Sequence, residues 1–300
     1  MTPRNPATQT AYGPMVIAAA EHARPPGQRL YDDPLAVRML PTAQRWIARS
    51  CRWEPVYRQL VAATDARARG LWAGVLCRKR YATDQIKAAI DAGIRQYVIL
   101  GAGLDTSPYR LIAPAGAHAW ELDLPANIAV KRRRTRSLPA GLVAGTTLVP
   151  IDFATDDLPG TLRAAGFAPA KPAMFIWEAV TQYLTEDAVL GTLAFLGTAA
   201  PGSRLIFTYL RADYLDGTTD YDAAPARRDF VDRQHIWRFG LDPAEITTLL
   251  RPYGWIVREH VGAQEYTSRY LAPTGRDLPV SGIERFVLAE RQDATAGEPR

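Results

Sequence analysis

A glycine-containing turn directly after an apolar segment is the clearest candidate for a ligand site in this chain. The apolar run Tyr97-Val-Ile-Leu100 is followed by Gly101-Ala-Gly103, and then by Asp105 and Thr106. Glycine lets a ligand approach the backbone because no Cβ stands in the way. A dinucleotide fingerprint needs a third glycine where this chain has Thr106, which argues against a bound pyrophosphate. A simple connection between a strand and a helix is the alternative interpretation of the turn.

Three acids follow the glycine turn at intervals of one strand and one helix. Asp123 ends the next apolar segment, Asp152 and Phe153 follow the third, and Glu178 follows the fourth. In a doubly wound sheet these strand ends lie along one edge, so the side chains are expected beside one crevice. Asp123 could accept the hydroxyls of a ribose, and Asp152 with Phe153 could contact an adenine. Each acid alone could also be a helix cap or a surface charge, but their regular spacing favours a shared adenosine site.

The elements that must position these residues follow an alternating pattern. Strands are predicted at 97–100, 119–122, 147–151, 173–177, 203–209, 255–260 and 283–289, and helices between them at 127–138, 158–165, 185–198 and 242–253. Such alternation implies right-handed crossovers and a parallel sheet. Because no helix is evident between the last two strands, the final strand is expected to run antiparallel. The predicted fold class is therefore α/β, with a doubly wound, seven-stranded Rossmann-like sheet.

Two regions lie outside this alternation. Residues 1–90 have helical spacing of apolar residues and no Gly/Ser linker, so they are predicted to form a helical cap on a core of residues 91–292. Residues 210–240 are polar and aromatic without a clear period. They are predicted to be an insertion after strand five that covers the acceptor side of the site.

Composition argues against several other classes of protein. The 300 residues are 47% apolar and 22% charged, which is typical of a globular chain. No 18-residue apolar run and no apolar leader are present, so neither a membrane span nor a membrane partner is expected and a cytoplasmic location is predicted. Cys51 and Cys77 are too few and too far apart for a disulfide framework. No acid or histidine cluster has the spacing of metal ligands, so no metal is expected.

The basic residues raise the question of a nucleic-acid partner. The chain has a formal charge of +5 and a pI near 9.3. Its densest basic run, residues 131–136, lies in a predicted helix without the aromatic-rich strands of a single-strand-binding surface. We interpret the run as a solvated helix face and expect no nucleic-acid partner.

Taken together, the motifs resemble the leucine carboxyl methyltransferase family, and more closely its bacterial branch, which includes polyketide-tailoring O-methyltransferases. The resemblance extends from about Thr10 to about Glu290. It rests on Asp32-Asp-Pro-Leu-Ala36, Arg78-Lys-Arg80 with Asp84, Leu100-Gly-Ala-Gly-Leu-Asp-Thr106 with Tyr109-Arg-Leu111, Glu121-Leu-Asp-Leu-Pro125, Glu178 with Tyr183-Leu184, and Trp237-Arg-Phe-Gly-Leu-Asp-Pro243.

The resemblance implies a class I methyltransferase that uses S-adenosylmethionine. The implied cofactor contacts are Arg78, Gly101, Ala102, Gly103, Asp105, Asp123, Leu124, Asp152, Phe153 and Glu178. Arg78 would bind the cofactor carboxylate, with Arg80 as a weaker candidate, and Glu178 would contact the amino-acid part. The chain departs from the family at Ala18-Ala-Ala20, where a basic residue is usual, and at Ser107-Pro108, where most bacterial members have arginine.

The expected reaction is methyl transfer to an oxygen of a small molecule. A carboxylate acceptor needs no base, whereas a hydroxyl would benefit from one. The candidate catalytic residues are His235 and Tyr183, and the candidate acceptor contacts are Tyr12, Tyr183, Trp237 and Arg238. A protein C-terminal carboxyl methyltransferase and a nicotinamide-dependent oxidoreductase are the alternatives, and a homodimer is left open.

Overall fold

The computed structural model describes residues 12–153 and 155–292, and a central β-sheet organises them. Its strands are β1 Gln96–Leu100, β2 His118–Asp123, β3 Thr146–Pro150, β4 Ala173–Trp177, β5 Arg204–Arg211, β6 Gly240–Leu241, β7 Trp255–Val261 and β8 Glu284–Arg291. The order is β3-β2-β1-β4-β5-β8-β7, with the short β6 paired to β5. Strands β1 to β5 are parallel, and β8 is antiparallel to both of its neighbours. The predicted doubly wound sheet with an antiparallel last strand is confirmed.

Helices cover both faces of this sheet. They are α1 Tyr12–His22, α2 Ala36–Met39, α3 Thr42–Ser50, α4 Glu54–Asp65, α5 Leu71–Asp91, α6 Pro125–Thr135, α7 Ala140–Val143, α8 Leu158–Ala164, α9 Glu186–Leu196, α10 Ala212–Leu215, α11 Ala224–Arg227, α12 Ile246–Leu250 and α13 Ala263–Tyr266. The Thr185 side chain caps α9 by accepting a hydrogen bond from the Ala188 amide at 3.3 Å, as its sequence position predicts. None of the helices in the described parts is both long and apolar enough to cross a membrane.

The alternating side chains of the strands divide the core into two layers. Tyr97 and Ile99 of β1 point into a cluster that includes the helices of the N-terminal part, and Val98 and Leu100 point into the cluster on the other face. The N-terminal helices therefore share one hydrophobic core with the sheet. This core includes residues on both sides of residue 90 and so marks no boundary there. The predicted division at residue 90 stays a prediction.

Gly70 separates α4 from α5 within the helical pattern of residues 57–91. Its φ is +76°, and a Cβ there would lie 2.5 Å from the backbone of Val280 and Ser281. Glycine is therefore required both by the left-handed conformation and by the close approach of the chain before β8. This contact ties the start of α5 to the last strand.

A buried polar cluster links the N-terminal helices to the connection before β8. Glu21 of α1 is fully buried, accepts hydrogen bonds from the Leu30 amide and the Tyr57 hydroxyl, and pairs with Arg276. A buried carboxylate is tolerated only when it is paired and hydrogen-bonded. The cluster therefore fixes how residue 276 and its neighbours sit against α1.

Three sequence-based expectations are corrected. The connection 262–282 is helical in part, because Tyr266 and Leu271 turn inward to the core from α13 and the turn after it. The helix expected at 242–253 is only α12 followed by a 3₁₀ turn that ends at Gly254. The basic run 131–136 is not wholly a solvated face, since Lys131 is fully buried against Glu121 while Arg132, Arg133 and Arg136 are exposed.

His260, near the end of β7, gives the fold a pH dependence. Its Nε2 lies 2.7 Å from the Tyr209 hydroxyl and accepts a hydrogen bond from Arg285 Nε at 2.9 Å. Burial and then the charge of Arg285 lower the pKa of His260 to about 4. The unfolded chain binds a proton near pH 6.5 that the folded chain excludes, so stability is lost as the pH falls from there toward 4.

We expect His260→Gln to reduce this loss, because glutamine keeps an acceptor for Arg285 and does not titrate. Between about pH 7.5 and about pH 5, the natural protein should lose about 1–2 kcal/mol more unfolding free energy than the variant, allowing for solvent screening. Urea unfolding of both proteins at the two pH values measures the difference. Equal losses in the two proteins would contradict the assignment.

Candidate active site

The carboxyl ends of β1, β2, β3 and β4 converge on one cleft of about 440 Å³. All the cofactor contacts implied by the resemblance line it except the weaker candidate Arg80: Arg78, Gly101, Ala102, Gly103, Asp105, Asp123, Leu124, Asp152, Phe153 and Glu178. Tyr183 and Arg238, from the predicted acceptor side, also line it. Sequence reasoning missed several lining residues, namely Pro14, Met15, Lys79, Ile99, Leu100, Leu104, Asn127, Ile176, Ala179, Val180, Leu184 and Ile236.

The glycine turn brings backbone rather than side chain to the cleft. Gly101 has a φ of +71°, and a Cβ there would lie 2.3 Å from Cγ2 of Val180. The amides of Gly101 and Ala102 both donate to the Leu122 carbonyl, at 2.8 and 3.0 Å. These bonds hold the turn against the end of β2, so that residues 101–103 form the floor of the cleft.

Asp123 is locked in place at the end of β2. Its Oδ2 accepts a hydrogen bond from the Gly103 amide at 2.6 Å, and its Oδ1 accepts from the Leu124 amide and from Asn127 Nδ2, both at 2.7 Å. A carboxylate has about four lone-pair sites, so Oδ2 keeps capacity for a ligand hydroxyl. Asn127 lies one helical turn after Asp123, and this spacing is the signal that could have identified it.

Opposite charges meet at the other end of the cleft. Arg78 Nε donates to Glu178 Oε1 at 2.8 Å, and its Nη1 donates to Glu284 Oε2 at 2.8 Å. Lys79 Nζ lies 3.5 Å from the same Glu178 oxygen. Burial alone would lower the pKa of Arg78, but Glu284 and Glu178 outweigh it and raise the pKa. The guanidinium therefore stays charged, although it is only 6% exposed.

Arg80, the weaker candidate for the cofactor carboxylate, lies elsewhere. Its side chain is half exposed, and its Nε pairs with Asp84 Oδ1 at 3.2 Å. Arg80 lines a different surface pocket, while Lys79 reaches the cleft. The rotation of α5 about its axis decides which of the two side chains reaches the cleft, because consecutive helical residues point about 100° apart.

Asp105 carries a negative charge under the glycine turn. The Ser107 hydroxyl donates to its side chain. Burial raises the pKa of Asp105, but the charges of Lys79 and Lys131 and the Ser107 bond outweigh it, so the pKa lies below the usual range. Asp105 is therefore ionised at neutral pH. Ser107 is therefore a hydrogen-bond donor to this carboxylate.

The Asp32-Asp-Pro motif attaches the N-terminal part to the glycine turn. Asp33 Oδ1 accepts from the amides of Leu35 and Ala36, each at 3.0 Å, and its Oδ2 accepts from the Thr106 hydroxyl at 2.6 Å. Arg110 Nε lies 3.4 Å from Asp33 Oδ1 and donates to Thr106 at 3.1 Å. One buried carboxylate thus positions both the start of α2 and the end of the glycine turn.

The segment after β4 forms the acceptor side. Ala179 has a φ of +58°, which is strained for alanine, and its amide donates to the Thr208 hydroxyl at 2.8 Å. Tyr183 follows in a 3₁₀ turn and faces the cleft. Ile236 and Arg238 of the insertion also line the cleft, and the Arg238 amide donates to the Gln182 carbonyl at 2.7 Å.

Three predicted site residues do not line the cleft. His235 is exposed with a φ of +52°, and its carbonyl accepts from Arg238 Nε at 3.0 Å. Trp237 packs on Phe230, with ring centroids 4.5 Å apart, and Tyr12 lies at the start of α1, two residues before the lining residue Pro14. Their roles in catalysis or acceptor binding stay predictions. The described residues hold no cluster of three or more His, Cys, Asp and Glu that could bind a metal ion.

Comparisons with known proteins agree with this geometry. The sequence model of the leucine carboxyl methyltransferase family matches residues 11–197. A relative from Parafrankia sp., named an S-adenosyl-L-methionine-dependent methyltransferase, is 30% identical over 284 residues, which are 94% of this chain and 86% of that protein. Another of that name from Mycolicibacterium gilvum is 40% identical over 168 residues, but this match spans only 52% of that relative.

Solved structures share the fold at low sequence identity. A methyltransferase structure from Thermobifida fusca has a TM-score of 0.56 and 16% identity, and the match covers 98% of this chain and 100% of that one. A DUF574 family protein from Streptomyces avermitilis has a TM-score of 0.58 and 14% identity, with 79% and 91% covered. Sequence identities this low support a shared fold and nothing more specific.

The sheet, the strand-end acids and these relatives together define a class I methyltransferase with S-adenosylmethionine as its cofactor. The family can be stated as well. Since the family model matches more than half of the chain and the Parafrankia relative aligns along nearly all of it, this chain belongs to the leucine carboxyl methyltransferase family.

Proposed function

We propose that this methyltransferase acts on a carboxylate or hydroxyl oxygen of a small molecule, such as a natural-product intermediate. The observation that carries the proposal is that Ile236 and Arg238 of the insertion line the cleft together with Tyr183. A cleft of about 440 Å³ that the acceptor would share with the cofactor suits a small molecule. A protein C-terminal carboxyl acceptor would need an open groove at this end.

The cleft residues fit the cofactor at both of its ends. Asp123 and Asn127 provide polar groups for a ribose, and Asp152 with Phe153 a carboxylate and a ring for an adenine. At the other end, two cations and two carboxylates meet around Arg78, which suits the zwitterionic amino-acid part. When bound, S-adenosylmethionine supplies a methyl group on a positively charged sulfonium, open to in-line attack by an oxygen lone pair.

The chain's own contribution is to position the acceptor and exclude water. Val180, Leu184 and Ile236 give the acceptor side apolar walls. Arg238 places a cation at the rim, where it can pair with an acidic acceptor. Holding two reactants in an attack geometry contributes up to about 7–11 kcal/mol toward the barrier in favourable cases.

A methyl-transfer assay with radiolabelled cofactor tests the proposal. Candidate carboxylic acids and phenols are compared with peptides that end in a free carboxylate, and mild alkali separates labile methyl esters from stable ethers. We expect label in at least one small-molecule class and none in the peptides. Label in the peptides alone would overturn the small-molecule assignment. Thermal shifts with S-adenosylhomocysteine and with NAD check the cofactor separately, because a ligand at 100 times its Kd adds about 2.7 kcal/mol.

Arg78→Ala is expected to weaken binding of S-adenosylhomocysteine about 30-fold or more, because a hydrogen bond to a charged group contributes about 1.5–3 kcal/mol. Glu284→Gln should weaken it less, about 3-fold to 10-fold, since Arg78 then loses one of its two carboxylate anchors. Titration calorimetry measures both affinities.

The neighbouring Arg80→Ala is the matched control for Arg78 and should bind normally. Arg78→Lys keeps a charge beside Glu178 and Glu284, and so covers the case in which the alanine variant fails to fold. Normal affinity in a folded Arg78 variant would count against its contact with the cofactor carboxylate. Normal affinity in Glu284→Gln would limit Glu284 to a structural role.

Variants of His235 and Arg238 test which of these two residues acts on the acceptor. We expect His235→Ala to keep most of its turnover, because the side chain is exposed and does not line the cleft. Arg238→Ala should raise KM for an acidic acceptor about tenfold, the effect of one exposed charge-assisted contact of about 1.4 kcal/mol, without changing cofactor affinity. Steady-state kinetics on both variants measure this. A large fall in kcat for His235→Ala at neutral pH would restore it as a base for a hydroxyl acceptor.

A further inference from the structure

A patch of exposed apolar side chains lies on the N-terminal part, on residues that do not line the cleft. Among the described residues, the exposed large hydrophobic side chains are Trp46, Ile47 and Trp53, which are 67%, 46% and 57% exposed. All three fall within eight consecutive residues on α3 and the turn after it. We call them the tryptophan patch. Isolated exposed apolar residues are ordinary on a protein surface, whereas clustered ones mark an interaction site.

The fold holds this patch outward. Ala48 and Cys51 of the same segment are buried, and α3 packs against α1. Because α3 already buries one face, its rotation cannot hide Trp46 and Ile47 inside the molecule. Within the described parts of the chain, Trp46, Ile47 and Trp53 therefore stay exposed.

Arginines surround the patch. The Arg49 guanidinium lies 5.9 Å from the ring centroid of Trp46, and that of Arg52 lies 5.0 Å from the ring of Trp53. The nearest acid in sequence, Glu54, is engaged by Arg24 at 2.8 Å and by Arg58 at 2.9 Å. The surface therefore combines tryptophan rings with a net positive charge, the pairing that suits the headgroup region of an anionic bilayer.

We propose that this face of the protein docks on an anionic membrane surface. Trp46, Ile47 and Trp53 enter the headgroup region, while Arg49 and Arg52 pair with lipid phosphates. This differs from the expectation of no membrane partner, which considered only spans and leaders. Helix α1 links the docked face to the cleft, because it contacts α3 and also provides the lining residues Pro14 and Met15. The proposal does not depend on which acceptor is methylated.

Two other occupants of the patch are less well matched. Residues 1–11 contain no aromatic residue and only Met1 as a large apolar one, so they offer little to pair with two tryptophans. A second copy of the chain would bring the same arginines together, and like charges across an interface are unfavourable. Both alternatives are outcomes of the test.

Co-sedimentation of the full chain with lipid vesicles tests the proposal. We expect binding to vesicles of phosphatidylcholine with phosphatidylglycerol, much weaker binding to phosphatidylcholine alone, and a decrease as salt rises. Trp46→Ala/Trp53→Ala and Arg49→Glu/Arg52→Glu should each weaken binding at least about tenfold. The matched control is Arg132→Glu/Arg133→Glu, which makes the same charge change on the exposed face of α6 and should bind like the natural protein.

Each other result would overturn the proposal. Equal loss in the Arg132/Arg133 control would mean that net charge alone causes binding. Undiminished binding by the tryptophan variant would remove the patch from the contact. If the natural protein does not co-sediment with vesicles, and light scattering shows a dimer that the tryptophan variant does not form, then a second copy of the chain binds the patch. If the natural protein is a monomer and does not co-sediment with vesicles, the patch does not bind a membrane. Thermal shift with S-adenosylhomocysteine verifies that every variant is folded.

Discussion

Asp123→Ala is expected to weaken binding of S-adenosylhomocysteine about 100-fold, or about 2.7 kcal/mol. The substitution removes the charged acceptor that we propose for the ribose hydroxyls, and each hydrogen bond to a charged group contributes about 1.5–3 kcal/mol. It also frees the Gly103 amide and the Asn127 side chain, which Asp123 holds at 2.6 and 2.7 Å. The loss therefore combines a missing ligand contact with a less ordered glycine turn.

Titration calorimetry with two further variants separates these contributions. Asp123→Asn keeps the shape of the side chain and one acceptor oxygen but loses the charge. Its affinity should lie between those of the natural protein and Asp123→Ala, about tenfold below the natural protein. Asp187→Ala removes an exposed carboxylate from the first turn of α9 and should bind normally. Unchanged affinity in Asp123→Ala would take Asp123 out of the ribose site.

Lys131→Met is expected to lower the free energy of unfolding by about 3–5 kcal/mol, the usual cost of breaking a buried ion pair from one side. Lys131 and Glu121 are both fully buried, and the Tyr109 hydroxyl also donates to Glu121. Burial raises the pKa of Glu121 to about 7 even with Lys131 beside it. Without Lys131, the carboxylate must either ionise in an apolar site or take up a proton.

The same lysine supports the cleft. Lys131 Nζ lies 3.4 Å from the Ala102 carbonyl, on the buried side of the glycine turn. We therefore expect Lys131→Met to reduce cofactor affinity as well as stability. This second effect would be absent if the ion pair only filled the core.

Urea unfolding near neutral pH measures the stability change. The double variant Glu121→Leu/Lys131→Met removes both charges and should regain most of the loss, since replacing a buried pair by apolar residues is often close to neutral. Arg132→Ala, one residue along α6 and exposed, should stay within about 0.5 kcal/mol of the natural protein. A Lys131→Met protein as stable as Arg132→Ala would show that the buried pair contributes little.

Much of the sheet could be predicted because buried parallel strands are short apolar runs with polar or glycine residues at their ends. Strand β4 falls at 173–177 as expected, and β1 begins one residue earlier than expected. Helix ends were less predictable. The pattern of 242–253 is that of one helix, yet regular α-helix covers only Ile246–Leu250, because the packing of each turn decides where helical hydrogen bonds continue.

Charged runs show most clearly what one sequence cannot decide. In Arg78-Lys-Arg80, the first two side chains reach the cleft and the third pairs with Asp84. In the run that begins at Lys131, one lysine is buried and its neighbours are exposed. All of these residues are basic and lie in short consecutive runs, so the sequence gives no sign of which side chains are buried. Their roles depend on the rotation of α5 and α6 against the sheet, which is a property of the packed structure.

Sequence alone therefore determined the seven main strands of the sheet, the antiparallel direction of the last one, and the set of acids at its carboxyl edge. Topology places strand ends together whatever the side chains do afterwards. Only the tertiary structure decided that Glu284 anchors Arg78, that Asn127 joins Asp123, and that His235 stays outside the cleft. These contacts join residues far apart in the chain or lie in loops without periodicity, and such contacts are set by packing rather than by local pattern.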